Sequence, residues 1–180
     1  MTVGIVGLGL IGGSFAKAYS QEGHTVLALD TDRSTLDFAI VSGAVSGELT
    51  VDNAARCDLV LIAVNPEAAC RVLETFAPHF GSKPVVIDCC GTKRRVCAAG
   101  FPLAQRGGFP YLGGHPMAGK HQSGFKYADA HLFKGAPMVI VPPVYDDIVL
   151  LGRVKELLEP AHFGRISVTT AEEHDEIIAF

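Results

Sequence analysis

The chain has 180 residues, of which 48% are hydrophobic and 19% are charged, and it carries a formal net charge of −4. A chain of this length buries roughly 70% of its unfolded surface, so its core needs no disulfide or metal staples. The acidic balance argues against a nucleic-acid partner, and no apolar run reaches the ~18 residues of a membrane span. We therefore expect a soluble globular protein whose partner is a small molecule.

The five cysteines are odd in number and scattered along the chain. They show neither a C-x-x-C pair nor a zinc-ligand spacing, so we predict no metal site and assign them as buried small residues. The N-terminus lacks a basic leader and a small-residue cleavage site, which argues against a signal peptide. Reduced thiols then suit a cytoplasmic location. The cysteines are Cys57, Cys70, Cys89, Cys90 and Cys97.

The first thirty residues have the pattern of a βαβ unit. A β-branched run from Thr2 to Val6 predicts a strand, helical spacing predicts a helix over Leu10 to Gln21, and a second strand over Thr25 to Leu29 ends at Asp30. The turn between the first strand and the helix carries the GxGxxG motif, Gly7-Leu8-Gly9-Leu10-Ile11-Gly12. A motif in this context predicts dinucleotide binding.

Each glycine of the motif has a separate physical task. Gly7 allows the tight turn, Gly9 lets a pyrophosphate approach the backbone, and Gly12 lets the helix pack closely on the strand. The free amides at the start of the helix then face the phosphates. We expect the whole stretch, including Leu8, Leu10 and Ile11, to contact the cofactor.

The acidic residue at the end of the second strand predicts which cofactor binds. Asp30 is placed to accept from the adenosine ribose hydroxyls, and its charge repels a 2′-phosphate, so NAD is favoured over NADP. Arg33 lies three residues further on. It either serves a phosphate or is a solvated residue in the first turn of the next helix.

Alternating helical and strand patterns continue to about residue 106 and predict a Rossmann-type doubly wound α/β fold, a mainly parallel sheet with helices on both faces. Ligands of such sheets lie beyond the carboxyl ends of the strands, here at Val64-Asn65-Pro66 and at Asp88 to Thr92. Asn65 and Pro66 also fit an N-cap and first helical residue. The predicted elements are helix 33–42, a short strand near 44–45, strand 59–64, helix 66–80, strand 85–88 and helix 93–106.

Three cations, Lys93, Arg94 and Arg95, occupy the first turn of a predicted helix, where they oppose its macrodipole. One explanation is a solvated face or a helix that begins later than predicted. The other is an anion nearby. Asp88 is a candidate partner for this basic turn.

Two glycine clusters bracket one histidine in the stretch from Gly113 to Gly124, GGHPMAGKHQSG. The stretch has no regular period, so we predict a loop, with Pro116 stiffening the turn that presents His115. Around it we expect a short strand from residue 111, a helical turn near 129–132, a strand over 136–141, a helix over 146–159 and a strand over 165–168.

Thr170 and Glu173 form a capping-box pattern that opens a last helix. This helix reaches the final residue on an apolar run without a C-cap, which predicts either a longer protein or a partner surface over Ile177, Ile178 and Phe180. We accordingly divide the chain into a nucleotide-binding domain, residues 1–168, and the start of a helix leading elsewhere, residues 169–180.

Taken together, the motifs resemble the nucleotide-binding half of a prephenate or arogenate dehydrogenase. The resemblance rests on GLGLIGGS at 7–14, Asp30, AVNP at 63–66, DCCGTK at 88–93, GGHPMAG at 113–119 and EHD at 173–175. It covers essentially the whole chain, and the GGHPMAG element is its most specific part. Members of this family carry a second, all-helical domain that builds the homodimer and supplies further substrate contacts, and this chain lacks it.

The resemblance implies NAD-dependent oxidative decarboxylation of prephenate to 4-hydroxyphenylpyruvate in tyrosine biosynthesis. His115 is then the catalytic residue that accepts the proton of the substrate hydroxyl, since an imidazole with a pKa near ~6.5 is mostly neutral at cytoplasmic pH. Thr92, Lys93 and Ser123 are candidate substrate contacts. His174 we assign as a linker residue.

Two positions depart from the family pattern. Many relatives have a serine in the loop after the Asp88 strand, where this chain has Gly91-Thr92; either the Thr92 hydroxyl substitutes or the contact is absent. Thr92 also fits a helix N-cap. Relatives often have an acidic residue where this chain has His121, which we read as a solvated loop histidine.

Three other functions compete with the main hypothesis. Arogenate is the alternative substrate, because the two ring acids differ only in a side chain that the helical domain helps to read. A 3-hydroxyacid or imine reductase shares the dinucleotide fold, but the GGHPMAG turn argues against it. The third alternative is not an enzyme: a module that binds NAD and catalyses no reaction.

Overall fold

The computed structural model describes residues 1–180 and contains one eight-stranded sheet. The strands are β1 (Thr2–Val6), β2 (Thr25–Leu29), β3 (Gly47–Glu48), β4 (Leu59–Ile62), β5 (Val85–Asp88), β6 (Tyr111–Pro116), β7 (Pro137–Val141) and β8 (Arg165–Val168). Their order is β3-β2-β1-β4-β5-β6-β7-β8. All neighbouring pairs are parallel except β6 and β7. The carboxyl ends of the parallel strands β1, β2, β4, β5 and β6 therefore share one edge, which is where such sheets bind ligands.

Six helices cover the two faces of this sheet. They are α1 (Leu10–Gln21), α2 (Arg33–Val41), α3 (Pro66–Phe80), α4 (Arg94–Gly107), α5 (Ile148–Leu157) and α6 (Ala171–Ile178). One apolar cluster of 26 buried residues includes side chains of α1, α2 and α5, and a second of 20 includes side chains of α3, α4 and α6. The predicted doubly wound Rossmann-type fold is confirmed. None of the helices has the length and apolar character needed to cross a bilayer.

Several predicted boundaries shift. The short strand lies at Gly47–Glu48, while Ala44 and Val45 are buried in the connection before it. The expected helical turn near 129–132 is a non-helical turn, and a 3-10 helix occupies Phe125–Tyr127 instead. Helix α5 begins at Ile148 because the Asp147 carboxylate accepts a hydrogen bond from the Leu150 amide at 3.1 Å.

The prediction that His115 lies in an irregular loop is wrong. His115 lies in β6, directly opposite Val139 of β7 in an antiparallel pair. The flanking glycines serve packing rather than chain freedom. A side chain at Gly113 would meet the Cys97 sulfur, and one at Gly114 would meet the Asp88 carbonyl. Glycine is thus required for β6 to lie this close to β5 and α4.

The packing of Gly114 yields a stability prediction. A Cβ there would lie 2.6 Å from both the Asp88 carbonyl oxygen and a methyl carbon of Ile87, and backbone cannot yield cheaply. Gly114→Ala should lower the free energy of unfolding in urea by about 1–3 kcal/mol. Gly152→Ala in α5 is the matched control, because nothing lies within 4 Å of that position. It should leave stability unchanged or raise it by up to ~1 kcal/mol. Equal effects at the two sites would contradict this account.

Candidate active site

The glycine-rich turn between β1 and α1 has the geometry of a phosphate cradle. Gly7 has φ +92°, and its amide donates to the Leu29 carbonyl at 2.8 Å. A side chain at Gly7 would collide with the Ala63 carbonyl, and one at Gly12 with the Gly7 carbonyl. Nothing lies within 4 Å of a Cβ at Gly9, and no side chain caps α1. The first amides of α1 are therefore available to an anion.

Asp30, at the carboxyl end of β2, faces this cradle. Its Oδ2 accepts from the Leu8 amide at 2.7 Å, and its Oδ1 accepts from the Asp32 amide at 2.8 Å. Each carboxylate oxygen retains a further acceptor position, so the group can still accept from two hydroxyls. The motif and the acidic residue are thus joined into one rigid unit.

Arg33 is the first residue of α2 and is exposed, as the solvated alternative predicted. Its guanidinium is engaged by two carboxylates, Asp37 Oδ1 at 3.1 Å and Glu48 Oε1 at 3.0 Å. With Asp30 and Asp32 nearby in the chain, carboxylates outnumber the one cation. This part of the surface is therefore unfavourable for a phosphate dianion.

Val64, Asn65 and Pro66 follow β4 at the same edge of the sheet. The Asn65 side chain accepts from the Ala68 amide at 2.9 Å and caps α3, with Pro66 at its first position. The Val64 carbonyl accepts from the Cys90 thiol at 3.4 Å. These contacts confirm the structural role of the segment, and its contact with a cofactor stays a prediction.

Behind the edge lies a buried ion pair that the sequence only suggested. Lys93 and Asp88 are both fully buried, and the Lys93 ammonium donates to Asp88 Oδ2. The Asp88 carboxylate also accepts from the Tyr111 hydroxyl at 2.7 Å and from the Cys90 amide at 3.0 Å. The structure thus directs the Lys93 charge inward, and not toward a substrate as we expected. The explanation by a solvated face is wrong for this residue, whereas Arg94 and Arg95 are exposed.

The N-terminus of α4 explains why cations are tolerated in its first turn. The Asp175 carboxylate of α6 accepts from the Lys93 amide at 2.7 Å and from the Arg94 amide at 2.9 Å. An anion does lie beside the basic turn, and it is supplied by the chain itself. Lys93, and not Thr92, occupies the N-cap position, and its side chain makes no cap hydrogen bond.

His115 belongs to a chain of three side chains that sequence reasoning missed. Its Nδ1 lies 2.8 Å from Nε2 of His174, and Nδ1 of His174 lies 2.7 Å from Oδ1 of Asp175. The His174 side chain is only 3% exposed. The prediction that His174 is a linker residue is therefore wrong. The signal was the EHD triplet following a capping box, which places these residues in the first turns of a helix with one face buried.

The environment of His115 keeps its ring neutral. The pKa of His115 is lowered to about 4. Burial is the largest cause, and the neighbouring His174 and Lys93 lower this pKa by more than Asp88 and Asp175 raise it. Burial raises the pKa of Asp175, but hydrogen bonds from the Arg94 amide, the His174 ring and the Lys93 amide outweigh it and hold that pKa below its ordinary value. An ionised Asp175 and a neutral His115 thus lie on either side of the His174 ring.

Space remains beside the free nitrogen of His115. A Cβ built on Gly91 would lie 3.9 Å from His115 Nε2, and no other neighbouring atom would lie within 4 Å of that Cβ. Thr92, His121 and Ser123 are exposed and make no side-chain hydrogen bond. Gly91 stands next to Nε2 and supplies no hydroxyl in the loop where many relatives have a serine. The roles of Thr92 and Ser123 stay predictions.

A phosphate cradle, an acidic residue at the end of β2 and a neutral imidazole at the same edge together define the nucleotide-binding domain of a dehydrogenase. Residues 15–166 match the family described as prephenate dehydrogenase, nucleotide-binding domain. The chain belongs to this family. The resemblance seen in the sequence motifs is thereby confirmed.

Individual relatives agree with this assignment. The chain is 31% identical over 185 residues to the prephenate dehydrogenase of Bacillus subtilis strain 168, an alignment that covers 98% of this chain and 48% of that protein. The chain spans about half the length of the curated relatives it matches first. The second, all-helical domain stays a prediction.

Solved structures show the same fold. The crystal structure of Synechocystis arogenate dehydrogenase matches with a TM-score of 0.90 and 28% identity, covering 99% of this chain and 63% of that one. A structure of Aquifex aeolicus prephenate dehydrogenase in complex with hydroxyphenyl propionate and NAD+ matches with a TM-score of 0.84 and 24% identity, covering 98% and 62%. Imine reductases match with TM-scores near 0.73 and 15–16% identity, which shows only a shared fold.

The lowered pKa of His115 predicts a pH dependence of stability. Between its ordinary pKa of 6.5 and about 4, the unfolded chain binds a proton on this ring that the folded chain does not. The free energy of unfolding should therefore fall as the pH falls through this window, with no contribution from His115 above it. One proton limits the slope to ~1.4 kcal/mol per pH unit.

Urea unfolding of the 180-residue chain at several pH values measures this effect. His115→Gln should flatten the acid dependence, whereas His121→Gln, at an exposed position, should follow the unmodified chain. Parallel curves for His115→Gln and the unmodified chain would contradict the lowered pKa.

Proposed function

We propose that this chain is the nucleotide-binding half of an NAD-dependent prephenate dehydrogenase, which oxidatively decarboxylates prephenate to 4-hydroxyphenylpyruvate in tyrosine biosynthesis. One observation carries the proposal. A neutral histidine, His115, lies at the carboxyl edge of the sheet that carries the dinucleotide motif, with Nδ1 held by a buried partner. That arrangement leaves Nε2 free for a substrate hydroxyl.

The hydride, the proton and the electron pair of this reaction are all accounted for by the substrate, by His115 and by the cofactor that the chain would bind. NAD, held by the amides of α1 and by Asp30, would supply the acceptor for the hydride of the ring carbon that bears the hydroxyl. As the C–O bond gains carbonyl character, the hydroxyl proton passes to His115 Nε2. The bond to the ring carboxylate then breaks, carbon dioxide leaves, and its electron pair enters the ring. The ring becomes aromatic, and His115 returns the proton to the phenolic oxygen.

The same geometry supports NAD as the cofactor. The uncapped amides of α1 suit the pyrophosphate, and the Asp30 carboxylate suits the ribose hydroxyls. Arg33, the cation that follows Asp30 in the chain, is held by Asp37 and Glu48. We propose that NADP is a poorer ligand for this reason.

A second substrate has its own support. Arogenate differs from prephenate in the side chain and not in the ring that His115 would serve, and the Synechocystis arogenate dehydrogenase shares 28% identity with this chain. The reacting ring carbon and hydroxyl are the same in both. The choice between the two acids is therefore made by residues other than His115.

The whole protein is expected to contain more than this domain. We propose that residues 1–168 form the nucleotide-binding domain and that 169–180 begin the helix leading to an all-helical domain, through which a cytoplasmic homodimer forms. Three exposed apolar side chains support the proposal that another surface covers the end of α6. Ile177 is 71% exposed, Ile178 is 39% exposed and Phe180 is fully exposed.

The role of His115 is tested with His115→Asn in a version of the protein extended beyond Phe180. Asparagine can still donate to His174 but offers no titratable base, so kcat should fall by ~10²-fold or more while affinity for NADH stays nearly unchanged. His121→Asn, in the exposed stretch after β6, is the matched control and should keep its activity.

Two outcomes would count against this function. Unchanged turnover of His115→Asn would remove the residue from the mechanism. If the extended, unmodified protein binds NADH but turns over neither prephenate nor arogenate, the chain is a non-catalytic NAD-binding module. Activity in the extended protein but not in the 180 residues alone would identify them as part of an enzyme.

Cofactor choice is tested with Asp30→Ser in the 180-residue chain. Removing this charge while keeping an acceptor should shift the ratio of NADPH to NADH affinity toward NADPH by about 10-fold, or ~1.4 kcal/mol. Fluorescence titration of both reduced cofactors measures it. Asp52→Asn, which removes an exposed carboxylate elsewhere, should leave the ratio unchanged. An unaltered ratio in Asp30→Ser would mean that another group reads the ribose.

A further inference from the structure

We propose that Asp175 is a positioning residue that fixes His115 in the tautomer protonated on Nδ1, so that Nε2 carries the lone pair at the cofactor edge. The use of that lone pair as a base rests on the proposed function. The tautomer itself is a property of the folded chain and can be measured without substrate or cofactor.

The argument begins at the carboxylate. Asp175 is ionised, so its oxygens only accept hydrogen bonds. Its Oδ1 lies 2.7 Å from Nδ1 of His174, and this contact requires a proton on that nitrogen. The side chain of His174 is buried, and water cannot substitute for either of its partners.

The second step passes through the His174 ring. A neutral imidazole protonated on Nδ1 has an acceptor at Nε2. In the proposed arrangement the His174 ring carries this one proton only, so His115 Nδ1, 2.8 Å from the acceptor, supplies the proton of the hydrogen bond between the two rings. The neutral His115 ring then has its lone pair on Nε2, beside the open space at Gly91. The opposite tautomer would place two lone pairs against each other.

The third step is the anchoring of Asp175 itself. Its Oδ1 also accepts from the Lys93 amide and its Oδ2 from the Arg94 amide, so the carboxylate is fixed to the N-terminus of α4. That helix end adds favourable partial charge. The Asp175–His174–His115 hydrogen-bonded chain is called the relay below. The other charges near this relay are the buried Lys93–Asp88 pair and an exposed contact of Arg94 with Glu176 at 3.7 Å. Of these charged groups, Asp175 is the one that hydrogen-bonds to the His174 ring.

Nitrogen-15 NMR of the imidazole side chains at neutral pH tests the proposal on the 180-residue chain. Protonated and unprotonated ring nitrogens have well-separated shifts, and His115→Asn and His174→Gln assign the two rings among the seven histidines. The proposal requires a proton on Nδ1 of both rings in the unmodified chain. A proton on Nε2 of His115 would overturn it, whatever the variants show.

Asp175→Asn then separates positioning from folding. The amide retains an oxygen for the helix cap, but its NH₂ group can donate to His174 Nδ1, so the relay no longer requires one tautomer. His115 should change from a single tautomer to a mixture. Glu176→Gln, which removes the neighbouring exposed carboxylate, should leave the His115 pattern unchanged. A single Nδ1-protonated His115 in folded Asp175→Asn would overturn the role of Asp175, and a failure of this variant to fold leaves the result on the unmodified chain decisive.

The extended protein supplies a separate readout. Asp175→Asn should lower kcat by about 10-fold or more, less than the ~10²–10⁴-fold loss of the base itself, with little change in the KM for cofactor. Glu176→Gln should stay within about twofold of the unmodified enzyme. An inactive extended protein with the predicted tautomers would refute the proposed function and leave the positioning role intact.

Discussion

The carboxyl edge of the sheet in this domain depends on the buried carboxylate of Asp88. Removing two charges from water is costly, and such a pair persists only when every acceptor is satisfied. Here the carboxylate accepts from the Lys93 ammonium, the Tyr111 hydroxyl and the Cys90 amide. Burial, with the nearby Asp88 charge, raises the pKa of Tyr111 well above its ordinary value, so the hydroxyl keeps the proton it donates. One carboxylate thus ties together the end of β5, the start of α4 and the first residue of β6.

That pair also dictates the glycines before His115. A side chain at position 113 would meet the Lys93 stem and the Cys97 sulfur, and one at 114 would meet Asp88 and Ile87. The strand can approach the pair only as bare backbone. Since β6 then pairs with β7, the imidazole is held by a sheet and not by a turn. Rigid elements position catalytic groups more accurately than loops do.

Local patterns in the sequence were enough for most of the fold and for the phosphate cradle. Strand and helix periods, the GxGxxG spacing and the Asn65-Pro66 cap are set by residues within a few positions of one another. The failures involve partners far apart in sequence. The β6–β7 pairing places His115 in a strand, and His174 lies 59 positions from the ring it contacts. No local period encodes such contacts. The EHD triplet matches a family pattern, but it does not by itself predict that His174 contacts His115.

The environment that keeps His115 neutral also lowers its strength as a base. A pKa of about 4 keeps the ring neutral at pH 7, but it also makes the ring a weak base. Burial is the main cause, and no carboxylate contacts the ring directly. Under the proposed function the substrate is an anion, and a negative charge placed beside Nε2 favours the imidazolium and raises this pKa. The base then gains strength when substrate is bound, while Asp175, acting through His174, keeps the accepting nitrogen pointed at it. A domain built this way holds its histidine uncharged and oriented until the reacting hydroxyl arrives.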